Sequence, residues 1–361
     1  MTALLIVLVT GLAVLLPALA RPTLPFGVRV TEDRIADPAV VRARAMYLRF
    51  VLASAVLAAV LTVAFGAGPL WASLQAAADF GLYLLANRAV RVAKRGGNWG
   101  AGRREGVTVD TTFRTDPVRM PWLHLVPAAV VLAMTAVLGL LRYADLPATM
   151  LDFLGFGVDP GSAVPTTWQR AFEPVFLQVG TTLLVPLVAF FVLRARPDLD
   201  AARPKGSARR YRVYLRGIAT MTFVLAAAVN LGLALTALQL WDVVPATTGW
   251  RIATYVPLAV MVVVLVVWDR KVGSAGHRLP AEPGEDEEES PVVQRDDDDR
   301  WFLGGLVYVN RQDPAAFVHA RIGHSWTMNL GNPTSWLVLA TLALLAIAAF
   351  TGLVDLPARE S

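Results

Sequence analysis

The chain of 361 residues contains no cysteine, and charged residues make up only 17% of it, against 55% hydrophobic residues. The missing cysteine excludes disulfides, thiolate metal sites and a cysteine nucleophile. So little charge is not typical of a soluble two-domain protein of this length. The first twenty residues also lack Lys and Arg, whereas Arg21 follows them directly. A cleaved signal peptide has its positive charge first, so we expect this stretch to remain as a membrane span.

Eight stretches are apolar and long enough to cross a bilayer, which requires about 20 residues of helix. Backbone groups in lipid must bond within one closed structure, so each stretch is predicted to be a helix. The chain is therefore predicted to be an all-α, polytopic transmembrane helical bundle of about eight spans. The predicted spans are Ala3–Ala20, Leu48–Ala67, Leu70–Asn87, Pro121–Leu141, Val175–Leu193, Val213–Trp241, Trp250–Trp268 and Ser335–Val354.

The basic residues lie almost entirely on alternate sides of these spans. Of 33 Lys and Arg, 29 lie in the segments that follow spans one, three, five and seven, counting Arg49 and Arg216 at the starts of spans two and six. Positive charge near a span stays in the cytoplasm, so the pattern predicts a cell (cytoplasmic) membrane protein with its N-terminus and C-terminus outside. The exceptions are Arg142, Arg170, Arg251 and Arg359.

Composition and charge divide the chain into four predicted regions. The acidic region is expected to be disordered because it cannot bury enough apolar surface to fold. The regions are a seven-span membrane domain at 1–268 with an outside loop at 142–174, an acidic linker at 269–300, a small cytoplasmic module at 301–334, and the eighth transmembrane helix at 335–354.

Three motifs in the outside loop resemble a group of bacterial, mostly actinobacterial, membrane proteins of unknown role. Arg142-Tyr143-Ala144-Asp145-Leu146-Pro147, Gly157-Val158-x-Pro160 and Phe172-x-Pro174 are similar to domain-of-unknown-function family 1648. Met150-Leu151-Asp152-Phe153 stands where that family has Pro-x-His-Phe, so no role of its histidine is transferred. The apolar stretch Met150–Leu154 is predicted to be a short interfacial helix. The wider relatives include the SdpI-type proteins, and this kinship implies toxin immunity or signalling to a repressor.

The cytoplasmic module resembles a second family, domain-of-unknown-function family 5808. The resemblance is carried by Tyr308-x-Asn310-x-x-Asp313-Pro314-x-x-Phe317-Val318 and Arg321-x-Gly323-x-x-Trp326-Thr327-x-Asn329-x-Gly331-x-Pro333. The module could present a binding face, or it could dock under the helical bundle, which its apolar residues favour. Its candidate site residues are Tyr308, Asn310, Asp313, Pro314, Arg321, Trp326 and Asn329.

Polar residues recur every four positions along the third predicted span. Gln75, Asp79, Tyr83 and Asn87 therefore lie on one slowly drifting helix face, which we call the polar seam. An ionised carboxylate at the bilayer midplane costs at least about 2.5 kcal/mol, so Asp79 must be protonated, paired or facing a wet cavity. One interpretation is a proton, cation or ligand site. The other is a seam that joins helices, with Asp79 bonded to a neighbour such as Asn230 in span six.

No residue pattern indicates an enzyme, a cofactor site or a metal site. His319 and His324 are five residues apart, which is poor spacing for sharing a metal. The acidic run lacks the alternating ligands of an EF-hand. The expected partners are the lipid bilayer and a regulatory protein on the cytoplasmic side. Nucleic acid is not expected, because topology and anionic lipid account for the basic loops.

These features favour an integral membrane protein that acts as a non-enzymatic sensor or immunity-like protein. The outside loop would recognise something at the cell surface, and the cytoplasmic module would report it inward. The alternative is a transporter or channel that uses the polar seam around Asp79.

Overall fold

The computed structural model describes residues 2–66, 69–102, 104–108, 110–285 and 292–350. The chain is mostly helical. The helices are α1 (Thr2–Leu19), α2 (Pro38–Phe65), α3 (Pro69–Gly96), α4 (Thr112–Thr115), α5 (Val126–Arg142), α6 (Trp168–Ala171), α7 (Glu173–Arg194), α8 (Pro204–Leu240), α9 (Thr248–Ala253), α10 (Val256–Val272) and α11 (Pro333–Phe350).

Short strands also form, and they pair two by two. The prediction of an all-α fold is therefore confirmed only in that the chain is mostly helical. The strands were not predicted because runs of two to eight residues show little periodicity in the sequence beside long apolar helices. The strands are β1 (Arg104–Gly106), parallel to β4 (Val292–Gln294), and three antiparallel pairs: β2 (Thr149–Phe153) with β3 (Val158–Pro165), β5 (Trp301–Phe302) with β6 (Val307–Tyr308), and β7 (Phe317–His319) with β8 (Trp326–Met328).

Five helices of the described residues are long and apolar enough to cross a membrane. Only 11% of the apolar window in Pro38–Phe65 is buried, so its apolar surface needs a non-aqueous solvent. The α3 helix is long enough but less apolar, because it carries Gln75, Asp79 and Asn87. The five are Pro38–Phe65, Trp122–Asp145, Glu173–Arg194, Pro204–Leu240 and Thr248–Gly276, and shorter apolar stretches lie at Leu5–Leu19 and Pro333–Leu344.

The chain divides into two compact units that differ from the predicted domains. Unit one consists of Met1–Thr111, Ala195–Tyr211 and Val272–Leu342. The predicted module at 301–334 thus belongs with the first three helices. Unit two consists of Thr112–Arg194, Arg212–Lys271 and Ala343–Ser361. The predicted C-terminus outside and the end of the predicted span at 335–354 lie beyond the described residues.

The region predicted as a disordered linker, 269–300, also differs from the structure where it is described. The α10 helix continues to Val272, β4 pairs with β1, and Asp298–Arg300 forms a 3-10 turn. The reason is that its acidic residues meet basic partners from distant segments, which composition does not reveal. Residues 286–291 of the predicted linker lie outside the described residues.

Unit one is built on the packing of α1, α2 and α3. The α2 helix begins where the Asp37 side chain accepts a hydrogen bond from the Ala39 backbone N–H, 3.0 Å away. The Tyr47 hydroxyl of α2 donates to the carbonyl of Ala13 on α1 over 2.8 Å. The rings of Phe26, Tyr47 and Tyr83 pack edge to face in the core. This aromatic cluster lies where the helices meet the first connecting segment.

Unit two contains a β-hairpin of β2 and β3, where a short helix was predicted at Met150–Leu154. That prediction is wrong because Gly155 and Gly157, at φ +84° and +111°, reverse the chain and let the two strands pair. The Gly157 backbone N–H donates to Thr236 Oγ1 over 3.1 Å. The hairpin is therefore tied to α8, and Leu154 at its turn is 62% exposed.

Candidate functional site

Seven charged side chains from separate segments of unit one meet in what we call the ionic cluster. In each segment the charged residues lie beside a helix end or a tight turn. Because the segments are distant in sequence, the cluster forms only when the chain is folded. Its members are Arg21, Arg29, Lys94, Asp198, Asp297, Asp298 and Arg321.

Asp198 lies between two arginines of the segment that follows α1. Arg21 Nη1 lies 3.0 Å from Asp198 Oδ2, and Arg29 Nη2 lies 3.3 Å from Oδ1. Burial of Asp198 opposes its ionisation, but Arg29 and Arg21 outweigh that effect and hold the pKa of its carboxyl well below the ordinary value. Arg21 Nη2 also lies 2.7 Å from Nδ1 of buried His319, which must therefore accept the bond as a neutral ring.

Arg321 is the most buried cation of the cluster, with 1% of its side chain exposed. It donates to the carboxylates of Asp297 and Asp298 and, over 2.8 Å, to the Gly27 carbonyl. Lys94 Nζ lies 2.7 Å from Asp298 Oδ2. Burial disfavours the charged form of Asp298, but Arg321 and Lys94 outweigh it and lower the pKa of Asp298 to about 2. Removing one partner of such a buried pair typically costs about 3–5 kcal/mol.

Two glycine turns make close backbone contact beside the cluster. A Cβ on Gly27, whose φ is +75°, would lie 2.0 Å from the Gly304 carbonyl oxygen. Tyr83 on α3 donates to that carbonyl over 3.3 Å, and Asn87 donates to the Phe26 carbonyl over 2.7 Å. The end of α3 therefore holds both turns in place.

The structure divides the polar seam into two pairs with different surroundings. Tyr83 and Asn87 bond to the connecting segments, as described above. Gln75 Nε2 donates to Thr10 Oγ1 on α1 over 2.8 Å. Asp79 Oδ1 accepts from Ser54 Oγ on α2 over 2.5 Å, so Ser54 takes the place of the suggested Asn230. These contacts join α3 to α1 and α2.

Asn230 lies in a buried polar group of unit two. Its Nδ2 donates to Thr182 Oγ1 over 2.9 Å and to the Ala128 carbonyl over 3.0 Å. Gln178 Nε2 donates to the Asn230 carbonyl over 2.7 Å. These bonds join α5, α7 and α8 through groups that lipid could not satisfy.

The candidate residues of the module bond mainly to one another and to backbone. Asn329 is fully buried, and its Nδ2 donates to the carbonyls of Asn310, Asp313 and Ala315 over 2.8 to 3.1 Å. The Tyr308 hydroxyl donates to Asp313 Oδ2 over 3.0 Å and accepts from Asn310 Nδ2 over the same distance. The motif therefore specifies a self-bonded loop.

The remaining module residues support the same loop. The Pro314 carbonyl accepts from Asn332 Nδ2 over 2.8 Å. The Trp326 ring packs against His319, with ring centroids 5.1 Å apart. Of the predicted module residues, Arg321 alone belongs to the ionic cluster as defined above.

A cavity of about 630 Å³ lies in unit one beside the cluster. Basic and acidic side chains both line it, along with the Trp99 ring. Within the described ranges, no group of three or more His, Asp or Glu is arranged to hold a metal ion. The charged lining residues are Arg21, Arg29, Glu32, Asp33, Lys94, Glu105, Asp198, Asp200, Arg203, Arg210 and Asp296.

The sequence did not predict which carboxylates pair with the basic residues of the ionic cluster. Asp198 and Asp200 lie among the basic residues of the third basic segment, and Asp297 and Asp298 belong to the acidic run that was predicted to be disordered. The alternation of basic loops was the available signal, because it predicted which segments share one side.

Comparison with protein families gives one match. Residues 311–336 match DUF5808, a family of unknown function, in agreement with the resemblance of the module. The resemblance to family 1648 and the SdpI-type proteins has no support from this comparison and stays an expectation. Comparisons with curated proteins and with solved structures gave no match.

Proposed function

We propose that the chain is an eight-span protein of the cell membrane with both termini outside, and that it acts as a non-enzymatic sensor or immunity-like protein. In this proposal, the β2–β3 hairpin is the outer recognition surface. The cytoplasmic module at 301–334, with the segments of unit one that it contacts, is the output, and its partner is a regulatory protein.

The ionic cluster is the observation that carries the membrane arrangement. Arg29, Lys94, Asp198 and Arg321 come from the segments that follow predicted spans one, three, five and seven. Groups in direct contact must be on the same side of a membrane. The charge pattern of the loops and these contacts are independent, and they support the same cytoplasmic side.

The same contacts support a sensing role. The cytoplasmic ends of four predicted spans share one set of charges, so a small displacement of any span would change the pairing of Asp198 or Arg321. Buried charge pairs are stable only in good geometry, which gives the cluster discrete arrangements. The self-bonded loop around Asn329 supplies a fixed surface for a partner. The implied kinship with immunity and signalling proteins agrees with this role by analogy.

Gene expression in the native host tests the proposal. Deletion of the gene should change a defined set of transcripts, and the wild-type gene should restore them. Asp198→Asn should fail to restore them at equal membrane abundance, because it removes the charge that Arg21 and Arg29 share. The matched control is Asp299→Asn, whose carboxyl is 69% exposed and which should restore them fully. Unchanged transcripts on deletion, or full restoration by Asp198→Asn, would contradict the proposal.

A further inference from the structure

An open apolar groove runs between α2 and α3 in unit one. It has a volume of about 580 Å³ and is lined on α2 by Phe50, Ala53, Ser54 and Leu57. Its α3 side is lined by residues that include Gly81 and Leu85. Phe50, Leu57 and Leu85 are each more than half exposed, at 52%, 58% and 63%. The groove is therefore a concave apolar surface on the outside of the unit.

Two arginines continue the lining faces at one end of this groove. Arg49 precedes Ala53 by four residues, and Arg88 follows Leu85 by three, so each arginine shares a helix face with a lining residue. Contacts of Tyr47 with Tyr83 and of Ser54 with Asp79 show that α2 and α3 run antiparallel. Both arginines therefore lie toward the same end, the one that carries the connecting segments and the ionic cluster.

These arginines differ from the cations of the ionic cluster. Arg49 and Arg88 are exposed, and within the described part of the chain neither side chain has a hydrogen bond or ion pair with a protein group. Arg88 lies about 28 Å along the helix from Pro69, at 1.5 Å per residue. That length matches the roughly 30 Å hydrocarbon core of a bilayer, so the guanidinium lies at headgroup depth when α3 spans.

We propose that this groove binds one anionic phospholipid of the cytoplasmic leaflet. An acyl chain lies along Phe50, Ala53 and Leu85, and the phosphate pairs with Arg49 and Arg88. Charge complementarity selects this occupant, since arginine binds phosphate oxygens in a bidentate fashion and the two guanidinium groups have no carboxylate partner among the described residues. The site rests on the membrane placement proposed above, because only a spanning α3 brings these side chains to a headgroup.

Native mass spectrometry of the full chain tests the site, with phosphatidylglycerol and phosphatidylethanolamine supplied in equal amounts. The wild-type chain should retain phosphatidylglycerol preferentially. The double variant Arg49→Gln and Arg88→Gln should lower that retention about tenfold or more, since each arginine near a headgroup contributes to binding. The matched control, Arg114→Gln with Arg119→Gln, removes the same charge from exposed positions of unit two and should retain the lipid.

A second variant tests the groove without changing charge. A Cβ added at Gly81 meets nothing within 4 Å, so Gly81→Leu fills the groove and should also favour the helix. It should lower phosphatidylglycerol retention, whereas Gly180→Leu, which is equally unobstructed in α7, should not.

Equal retention of the two lipids by the wild-type chain would overturn the proposal, as would equal losses in both arginine double variants. The amount of lipid retained in native mass spectrometry does not depend on which side of the membrane the loops face. A failure of the lipid site and a failure of the proposed orientation are therefore distinguishable.

Discussion

His319 differs from the charged residues of the ionic cluster because its stable form is neutral. Arg321 and Arg29 keep their charge at any physiological pH and must stay paired. His319 instead accepts a hydrogen bond from Arg21, so a proton on its ring would face a guanidinium. Burial, and then the charge of Arg21, lower the pKa of His319 well below the ordinary value of 6.5. Unit one therefore packs around His319 only when the ring of His319 is neutral.

The stability of unit one should therefore fall as the pH drops below about 6.5. In that range the unfolded chain binds a proton at His319 and the native chain does not, so protons favour unfolding. The free energy of unfolding should decrease by at most about 1.4 kcal/mol per pH unit, until the native pKa is reached. Unfolding of the detergent-solubilised protein between pH 8 and pH 5 measures this slope.

Two variants isolate the contribution of His319 to that slope. His319→Gln keeps an acceptor for Arg21 and removes the titrating group, so the slope should flatten. His124→Gln, at an exposed position of unit two, should leave the slope unchanged. An unchanged slope in His319→Gln would assign the pH dependence to another group.

Among the elements of unit one, the two glycine turns lie in close backbone contact. The turn at Pro25–Gly27 contacts the turn at Leu303–Gly305, and Tyr83 holds the carbonyl between them. Gly27→Ala would meet both the strain of a positive φ and a clash with the Gly304 oxygen. We expect it to lower stability by about 3 kcal/mol or more, as measured by thermal unfolding.

Gly66→Ala is the matched control for this change. Gly66 has a φ of +90°, but a Cβ there meets nothing within 4 Å. It should therefore show only the backbone strain of its φ of +90° and ψ of 160°, about 1–3 kcal/mol. Equal losses in the two variants would show that the contact with Gly304 contributes nothing.

The elements also show what the sequence can predict. Apolar runs predicted where helices lie, but α2 begins at Pro38 and α3 continues to Gly96, beyond the apolar parts. These extensions are amphipathic, because they pack on the connecting segments instead of facing lipid. The hairpin after Thr149 was predicted as a helix, because an apolar run of five residues does not distinguish the two states.

At the scale of the whole molecule, the loop charges predicted which segments belong together, but not how they pair. Arg29 and Asp198 are 169 positions apart, and Arg321 and Gly27 are 294 apart. Contacts over such distances depend on the fold, and no local pattern records them. The four residues of the polar seam form one pattern in the sequence. In the fold, Gln75 and Asp79 bond to neighbouring helices, whereas Tyr83 and Asn87 bond to the connecting segments.

Single cysteines test the proposed orientation, because the chain has none of its own. Ala148→Cys, in the loop before β2, should react with a membrane-impermeant maleimide in intact cells. Ala101→Cys, an exposed position of unit one, should react only after the membrane is permeabilised. The unmodified chain is the control for background labelling. Labelling of Ala101→Cys in intact cells would contradict the orientation.

The long sequence separations within unit one also have a consequence for its synthesis. The acceptor of the Tyr83 hydroxyl is the Gly304 carbonyl, which is synthesised 221 positions later. The donor to the Gly27 carbonyl is Arg321, which is synthesised later still. When the first three helices have been made, Arg29, Lys94 and the Tyr83 hydroxyl therefore still lack these later partners. A ribosome that stalls before Asp297 leaves these groups exposed, so an incomplete chain differs chemically from a finished one at the surface that proteases and chaperones encounter.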